Sequence, residues 1–353
     1  MNNAPRLLAL ATAVPPYALD QDDVMRRVEA VFGSRSSTVA RLLPVFANTG
    51  IERRYSCVPI EWYYEPHGWP DRNRTYLTSA VELIQTAATQ ALERADLAPS
   101  DIDAIVVVST TGIATPSLDA LLMERMGFKR TTRRLPIVGL GCAGGTLGLA
   151  RASELARADP GSRVLFLVVE LCTLSFRRED LSKSNIVATA LFSDGAAAAI
   201  ISTEGAGPAI VATGEHTFAH TLDIMGWDVA DDGLKAIFSR DIPALVASEF
   251  GAVADRFLAL RGMARSDITR VLAHPGGAKV LDALEAVFAY EPGTLVDSRA
   301  TLRAYGNMSS ATVMFVLERA MQRGALGPQH CGRSLVTSMG PGFSAALALL
   351  EYP

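Results

Sequence analysis

Short apolar segments alternate with longer helix-like segments along the chain, and this alternation constrains the fold more than any other feature. The apolar runs include DAIVVVST (103–110), RVLFLVVE (163–170) and TRVLAH (269–274), and several are rich in β-branched residues. Segments with helical spacing lie between them, such as 79–97 and 244–263. Strands that alternate with helices form sheets covered by helices. The sequence therefore predicts an α/β fold with buried sheets.

Two pairs of similar segments also occur in the same order along the chain. LAPSDIDAIVVVSTTG (97–112) resembles MARSDITRVLAHPGG (263–277), because in each S-D-I follows a helix end and precedes a strand and a glycine. LFSDGAAAAIIS (191–202) resembles SMGPGFSAALALLE (338–351), where a glycine turn runs into an apolar strand. Two ordered matches indicate a duplicated core.

Length and composition agree with two globular halves. A chain of 353 residues fits about two domains. We place an N-terminal half at 1–205 and a C-terminal half at 206–353. Hydrophobic residues make up 49% of the chain and charged residues 20%, which is a globular composition and not a disordered one.

Charge and cysteine content exclude several functional classes. The net charge is −4 and the basic residues are scattered, so we expect no nucleic-acid partner. The cysteines, at 57, 142, 172 and 331, form no CxxC or Cys/His cluster, so we expect no metal site. Dispersed cysteines in a long chain favour reduced thiols and a cytoplasmic protein.

The N-terminal stretch PRLLALATAVPP has an apolar run that a short signal peptide could also contain. Two prolines follow this run at once, and we interpret it as a first buried strand. No apolar run approaches the length of about 20 residues that a membrane-spanning helix needs, so we expect no membrane span.

Cys142 lies in the glycine-rich stretch VGLGCAGGTLGLA (138–150), between a strand-like run and a helical pattern. A cysteine at a helix N-terminus has a lowered pKa, and the flanking glycines allow a sharp turn with close approach of another group. A lone cysteine can also be an inert core residue. The local sequence leaves both interpretations open.

Three further positions could belong to a site with Cys142. His274 ends a predicted strand before Pro-Gly-Gly, where α/β folds present catalytic groups, although it could be an ordinary partly buried histidine. Asn307 precedes a helical pattern, as an N-cap residue does, and its amide could also donate to a carbonyl oxygen. The turn Gly340-Pro341-Gly342 could form a rigid wall beside a ligand.

Cysteine, histidine and asparagine are together the parts of a thiol acyl-transfer site. A thiolate attacks an acyl carbonyl, a histidine stabilises that thiolate, and histidine and asparagine donate to the oxyanion.

The chain resembles the type III polyketide synthases, the chalcone-synthase-like enzymes, through motifs that occur in family order over almost its whole length. The first 90 or so residues match more loosely. The motifs are GLGCAGG, ALFSDGAAAAI, AHPGGAKVLDALE, YGNMSSATVMFVLE and SMGPGFSAAL.

The resemblance implies a thiolase-like fold with two duplicated α/β halves in five layers, α-β-α-β-α, assembled as a homodimer. It also implies that Cys142 carries an acyl-CoA starter and the growing polyketide, and that His274 and Asn307 hold malonyl-CoA during decarboxylation. No cofactor is implied, since coenzyme A thioesters are the substrates.

The resemblance also implies pocket residues. Phe192 matches a gatekeeping phenylalanine, whereas a second gate of plant members is matched by Ala236, which predicts a wider or differently shaped cavity. Small residues near the site favour a fatty acyl starter and an alkylpyrone or alkylresorcinol product. The implied pocket positions are Thr110, Thr111, Thr115, Cys172, Ser175 and Ser309, and the implied coenzyme A contacts are Arg41, Arg53 and Arg54.

Alternative functions share parts of this pattern. A ketoacyl-carrier-protein synthase III uses the same fold and the same three residue types for a single condensation. Hydroxymethylglutaryl-CoA synthase is more remote, because it needs a general-acid glutamate. A cysteine hydrolase and a non-catalytic thiolase-fold partner subunit are the remaining alternatives.

Overall fold

The computed structural model describes residues 4–32, 41–326 and 332–352, so that Cys331 lies outside the described residues. The strands are β1 (Arg6–Ala13), β2 (Tyr17–Asp20), β3 (Arg53–Ser56), β4 (Ala104–Val108), β5 (Arg133–Ile137), β6 (Val164–Leu171), β7 (Asp194–Ser202), β8 (Ala209–Thr217), β9 (Met225–Ala230), β10 (Gly233–Phe238), β11 (Arg270–Ala273), β12 (Gly332–Gly340) and β13 (Ser344–Tyr352).

The helices occupy the segments between these strands. They are α1 (Gln21–Phe32), α2 (Pro44–Asn48), α3 (Trp69–Ala95), α4 (Leu118–Arg125), α5 (Gly144–Ala158), α6 (Lys183–Leu191), α7 (Ile242–Leu245), α8 (Gly251–Ala259), α9 (Ala278–Val287), α10 (Val296–Tyr305) and α11 (Thr312–Gln322). A π-helical turn, Val246–Phe250, joins α7 to α8, so the segment predicted as a helix at 244–263 is helical but irregular and ends at Ala259.

The main sheet has the strand order β11-β12-β13-β8-β1-β7-β6-β4-β5. Its two parts meet where β1 and β8 pair at Arg6 and Ala209. The predicted first strand is confirmed as β1, which lies at this junction. Every residue of β4, β6 and β7 is buried, because helices cover both faces of this part of the sheet.

The two parts of the sheet repeat one topology. In the first part, β4 runs parallel to β6, β6 antiparallel to β7, and β7 antiparallel to β1. The second part has the same relations among β11, β12, β13 and β8. Each S-D-I segment also makes the same turn, in which the carboxylates of Asp101 and Asp267 accept from the backbone N–H groups of Ala98 and Ala264. The duplication inferred from sequence is therefore present in the fold.

The helices form three layers around the two parts of the sheet. Helices α5 and α11 contact strands of both parts and occupy the middle. Helix α3 covers the outer face of the first part, and the segment that includes α8 and α9 packs on the outer face of the second. This is the predicted α-β-α-β-α order. The described residues contain no helix that is long and apolar enough to cross a membrane.

Candidate active site

Cys142 lies on a tight elbow between β5 and α5. The elbow contains Gly139 with φ +91° and Gly141 with φ +45°, in the left-handed region that favours glycine. A 3₁₀ turn, Gly141–Ala143, leads directly into α5. A Cβ atom on Gly145 would lie 2.2 Å from the carbonyl oxygen of Ser310, so a glycine is required for α5 to approach that turn.

This close approach brings residues of the separate motifs into one site. The Cys142 Sγ donates to Ser309 Oγ at 3.5 Å, and the Ser309 N–H donates to Asn307 Oδ1 at 2.8 Å. The Asn307 Nδ2 donates to the Gly276 carbonyl at 3.3 Å, and a Cβ atom on Gly276 would lie 3.8 Å from His274 Nε2. Asn307 thus fixes a turn through its oxygen, as one interpretation from sequence expects, and its role as a donor to a substrate carbonyl stays a prediction.

Burial controls the protonation of this site. It raises the pKa of the Cys142 thiol to about 12, although the hydrogen bond with Ser309 lowers it. Burial lowers the pKa of His274 to about 3, and neither ring nitrogen has a hydrogen-bond partner within the described chain. Burial therefore favours the neutral thiol and the neutral imidazole at this site, and the expectation that Cys142 is held as a thiolate stays a prediction.

Sequence reasoning missed Glu170, a fully buried carboxyl group beside the site. Its Oε2 accepts from the Thr110 N–H at 3.0 Å and from the Thr111 N–H and Oγ1 at 3.1 and 2.9 Å, and its Oε1 accepts from the Ser310 hydroxyl. Burial raises the pKa of Glu170 to about 7. Glu170 joins loops from both halves around Cys142.

Two cavities share Phe192 as a lining residue. The smaller, of about 270 Å³, is lined by Cys142, Ser309, Pro341 and Phe192. The larger, of about 640 Å³, continues from Phe192 towards α1 and has a mainly apolar lining, and we call it the side cavity. It is lined by Leu19, Val24, Arg27, Val28, Arg54, Ile60, Tyr63, Tyr64, Cys172, Thr173, Ser175, Phe176, Ala188, Thr189 and Phe192.

Aromatic side chains lie around Ala236. Ala236 is buried and pairs across the β9–β10 hairpin with Trp227. The rings of Trp227 and Phe238 lie 5.5 and 5.4 Å from the ring of Phe192. These two aromatic side chains line the Cys142 cavity beside Ala236, and the expectation of a wider or differently shaped cavity stays a prediction.

The other predicted pocket positions are divided between the cavities and their frame. Cys172 and Ser175 line the side cavity, and Thr111 lines a third, neighbouring cavity. Thr110 holds the elbow, because its Oγ1 accepts from the Gly141 N–H at 3.0 Å. Thr115 is exposed and lines none of these cavities, which corrects the expectation for that residue in the single chain.

The Gly340-Pro341-Gly342 turn packs directly against the elbow. A Cβ atom on Gly340 would lie 2.5 Å from the Leu140 carbonyl oxygen, and one on Gly141 would lie 2.5 Å from Pro341 Cδ. Gly342 has φ +73° and completes the turn into β13. The turn therefore forms the wall expected beside the nucleophile.

The three arginines predicted to contact coenzyme A have different environments. Arg41 and Arg53 are exposed, as a phosphate contact requires. Arg54 is only 3% exposed, and its Nη1 donates to the Thr189 and Phe192 carbonyls at 2.6 and 2.8 Å. The expectation for Arg54 is therefore corrected, because its guanidinium faces backbone carbonyls and not solvent.

Comparisons with known proteins agree with this geometry. The family model for the N-terminal domain of chalcone and stilbene synthases matches residues 2–208, and the model for their C-terminal domain matches residues 210–351. A putative chalcone synthase of Bacillus subtilis is 36% identical, with 98% of each chain covered. A 1,3,6,8-tetrahydroxynaphthalene synthase of Streptomyces peucetius is also 36% identical, over 98% of this chain and 92% of the relative.

A solved structure extends the likeness to three dimensions. The 1,3,6,8-tetrahydroxynaphthalene synthase of Streptomyces coelicolor, a bacterial type III polyketide synthase, superposes with a TM-score of 0.93 at 31% identity, covering 98% of this chain and 99% of that one. The chain therefore belongs to the chalcone and stilbene synthase family and is a type III polyketide synthase, a condensing acyltransferase with a thiolase-like fold.

Proposed function

We propose that the enzyme loads a fatty acyl-CoA starter on Cys142, extends it with malonyl-CoA and cyclises the product to an alkylpyrone or alkylresorcinol. The observation that carries the choice of starter is the side cavity, which shares the lining residue Phe192 with the Cys142 cavity and has a mainly apolar lining. An aliphatic chain transferred from water into such a lining gains about 0.8 kcal/mol for each buried methylene group.

Acyl loading begins from the neutral thiol and the neutral imidazole. The sulfur of Cys142 attacks the thioester carbonyl, and neutral His274 accepts the thiol proton. Coenzyme A leaves as its thiolate, takes up this proton and departs as the free thiol. His274 can take this role because both of its ring nitrogens lack hydrogen-bond partners in the described structure, so that an unprotonated nitrogen is free to accept the proton.

Decarboxylation uses the donors opposite Cys142. The malonyl thioester carbonyl accepts from the Asn307 Nδ2 and from the N–H of neutral His274. Loss of CO₂ then leaves an enolate whose oxygen these donors stabilise. The enolate carbon attacks the Cys142 thioester, a carbon–carbon bond forms, and the cysteine sulfur leaves. Transfer of the extended chain back to Cys142 starts the next cycle. The thioester and its β-carboxylate supply the reactivity, so the proposal includes no metal or organic cofactor.

A ladder of acyl-CoA starters with malonyl-CoA, followed by mass spectrometry of the products, tests the proposed starter. We expect pyrones or resorcinols that retain a long alkyl chain. A product without an alkyl chain, such as the tetrahydroxynaphthalene in the name of the Streptomyces relatives, would contradict the fatty starter. A single β-ketoacyl thioester would instead indicate a one-step condensing enzyme.

We also propose that the active form is a homodimer that pairs through β5. This strand ends the described sheet, and the side chains of Leu135 in it and of Val138 directly after it are exposed. Exposed apolar side chains close to a sheet edge favour association with a second copy. Light scattering coupled to size exclusion should give twice the chain mass of 37.6 kDa. Val138→Asp should shift the protein towards the monomer, and a monomeric wild type would contradict the proposal.

A further inference from the structure

Arg54 is a buried cation at the end of a helix. It lies in β3, and its Nη1 donates to the carbonyl oxygens of Thr189 and Phe192, where α6 ends. Helix ends carry carbonyl groups without intrahelical partners and a partial negative charge, both of which favour a guanidinium. Burial lowers the pKa of Arg54 to about 10, so the group is still charged at neutral pH.

The segment that Arg54 holds is the one that carries Asn307. The Asn307 N–H donates to the Leu191 carbonyl at 2.9 Å, and the Ser193 N–H donates to the Asn307 carbonyl at 2.9 Å. These bonds form a parallel bridge between Phe192 and Asn307. The backbone of Asn307 is thus fixed to the residues on either side of Phe192.

Two more contacts attach β3 to the same place. The Ser193 Oγ accepts from the Tyr55 N–H at 2.8 Å and donates to the Tyr55 carbonyl at 3.2 Å. Gly306, with φ +69°, lies so close that a Cβ atom there would be 2.8 Å from Arg54 Cγ. The arginine stem therefore packs on the turn that precedes Asn307.

Packing alone does not explain why the charged side chain of Arg54 is buried. Its Nε and Nη2 are buried without a hydrogen-bond partner in the described parts of the chain. Burying a charged group with unpaired donors is costly, and an apolar side chain of similar volume would avoid that cost. A charge kept at this cost is explained by the two carbonyl groups that it fixes.

We propose that Arg54 is a positioning residue, which sets Phe192 in the lining that the two cavities share and, through the Phe192–Asn307 bridge, the amide of Asn307 over the malonyl site. The inference rests on the role of Asn307 under the proposed function. It assigns Arg54 to the decarboxylation half of the reaction and not to the binding of coenzyme A phosphates.

The test separates decarboxylation from the reactivity of Cys142. Arg54→Met keeps the aliphatic stem and removes the donors, whereas Arg54→Lys keeps a charge that can reach one or both carbonyl groups. Malonyl-CoA decarboxylation is measured as released CO₂, and Cys142 reactivity as the rate of iodoacetamide alkylation. Arg130→Met is the matched control, because the side chain of Arg130 is 74% exposed.

We expect Arg54→Met to lower malonyl-CoA decarboxylation by about tenfold to a hundredfold, as a displaced catalytic amide does, with Cys142 alkylation unchanged. Arg54→Lys should restore part of the loss, and Arg130→Met should behave as wild type. Decarboxylation at the wild-type rate in Arg54→Met would overturn the inference. Equal losses of decarboxylation and alkylation in both Arg54 variants would also overturn it, since they indicate a purely structural role.

A parallel Asn307→Ala variant distinguishes the two possible failures. If Asn307→Ala decarboxylates normally, the proposed function is wrong at this step and the role of Arg54 fails with it. If Asn307→Ala is impaired and Arg54→Met is not, the reaction scheme stands and only the positioning role is refuted.

Discussion

Replacement of Gly145 by alanine tests whether the approach of α5 to the Ser309–Ala311 turn creates the site. The new Cβ atom would lie 2.2 Å from the Ser310 carbonyl oxygen and 2.5 Å from Val313 Cγ1. The first of these is a backbone atom and cannot rotate away. Helix α5 must therefore move from the turn, which separates Cys142 from Ser309.

The size of the effect follows from two opposing contributions. Overpacking costs up to about 3 kcal/mol, whereas alanine in a helix gains about 1 kcal/mol over glycine. The net loss is about 2 kcal/mol. Unfolding entropy is about 2.1 cal/mol/K per residue, or about 0.7 kcal/mol/K for 353 residues, so Tm should fall by about 3 °C. Condensation should fall by at least about tenfold, because the reacting groups are displaced.

Gly251→Ala is the control, since Gly251 is also helical but a Cβ atom there would make only ordinary van der Waals contacts. The nearest atoms would be Arg265 Nη1 at 3.5 Å and Val287 Cγ1 at 3.7 Å. We expect this variant to be slightly more stable than wild type and fully active. Differential scanning calorimetry and product formation measure both effects. A Gly145→Ala enzyme with wild-type or higher Tm and normal activity would refute the packing argument.

Three further predictions concern the cavity and its buried groups. Ala188→Leu should shorten the preferred starter chain, because Ala188 lines the side cavity, and an unchanged starter profile would argue against that cavity. Ser309→Ala should slow iodoacetamide alkylation of Cys142, because the hydrogen bond that lowers the thiol pKa is lost; equal rates would contradict this role. Burial raises the pKa of Glu170 from 4.5 to about 7, so the contribution of Glu170 to stability should fall by about 3 kcal/mol as pH rises through this interval. Chemical denaturation should show a smaller fall in Glu170→Gln, and identical pH profiles would refute the assignment.

The fold was predictable because its signals are periodic and repeated. Buried strands such as β6 are continuous apolar runs, and the two S-D-I segments make the same turn in both halves. The elbow at Cys142 was also readable, since only glycine tolerates its positive φ angles and close contacts. Each of these features can be predicted from a short stretch of sequence, and the topology of the fold then brings them together.

Other features depend on tertiary contacts that no local pattern contains. Glu170 ends an apolar strand, where a carboxylate usually reaches solvent, and only the fold surrounds it with Thr110, Thr111 and Ser310. In the sequence, the small side chain of Ala236 indicates free space in the pocket. In the structure, Trp227 lies opposite Ala236 across the β9–β10 hairpin. The signal for Arg54 was present but ambiguous, because two adjacent arginines in a strand alternate between solvent and core.

The central claim is that Cys142 carries the starter and passes it to a malonyl-derived enolate, and an acyl-enzyme chase tests it most directly. The protein is incubated with a long-chain acyl-CoA, freed of excess substrate and analysed by peptide mass spectrometry before and after addition of malonyl-CoA. The account predicts an acyl group on the Cys142 peptide that disappears on addition of malonyl-CoA as an alkyl-bearing polyketide forms, with neither signal in Cys142→Ala. An acyl group on another residue, or one that is released as free fatty acid without consumption of malonyl-CoA, would contradict it.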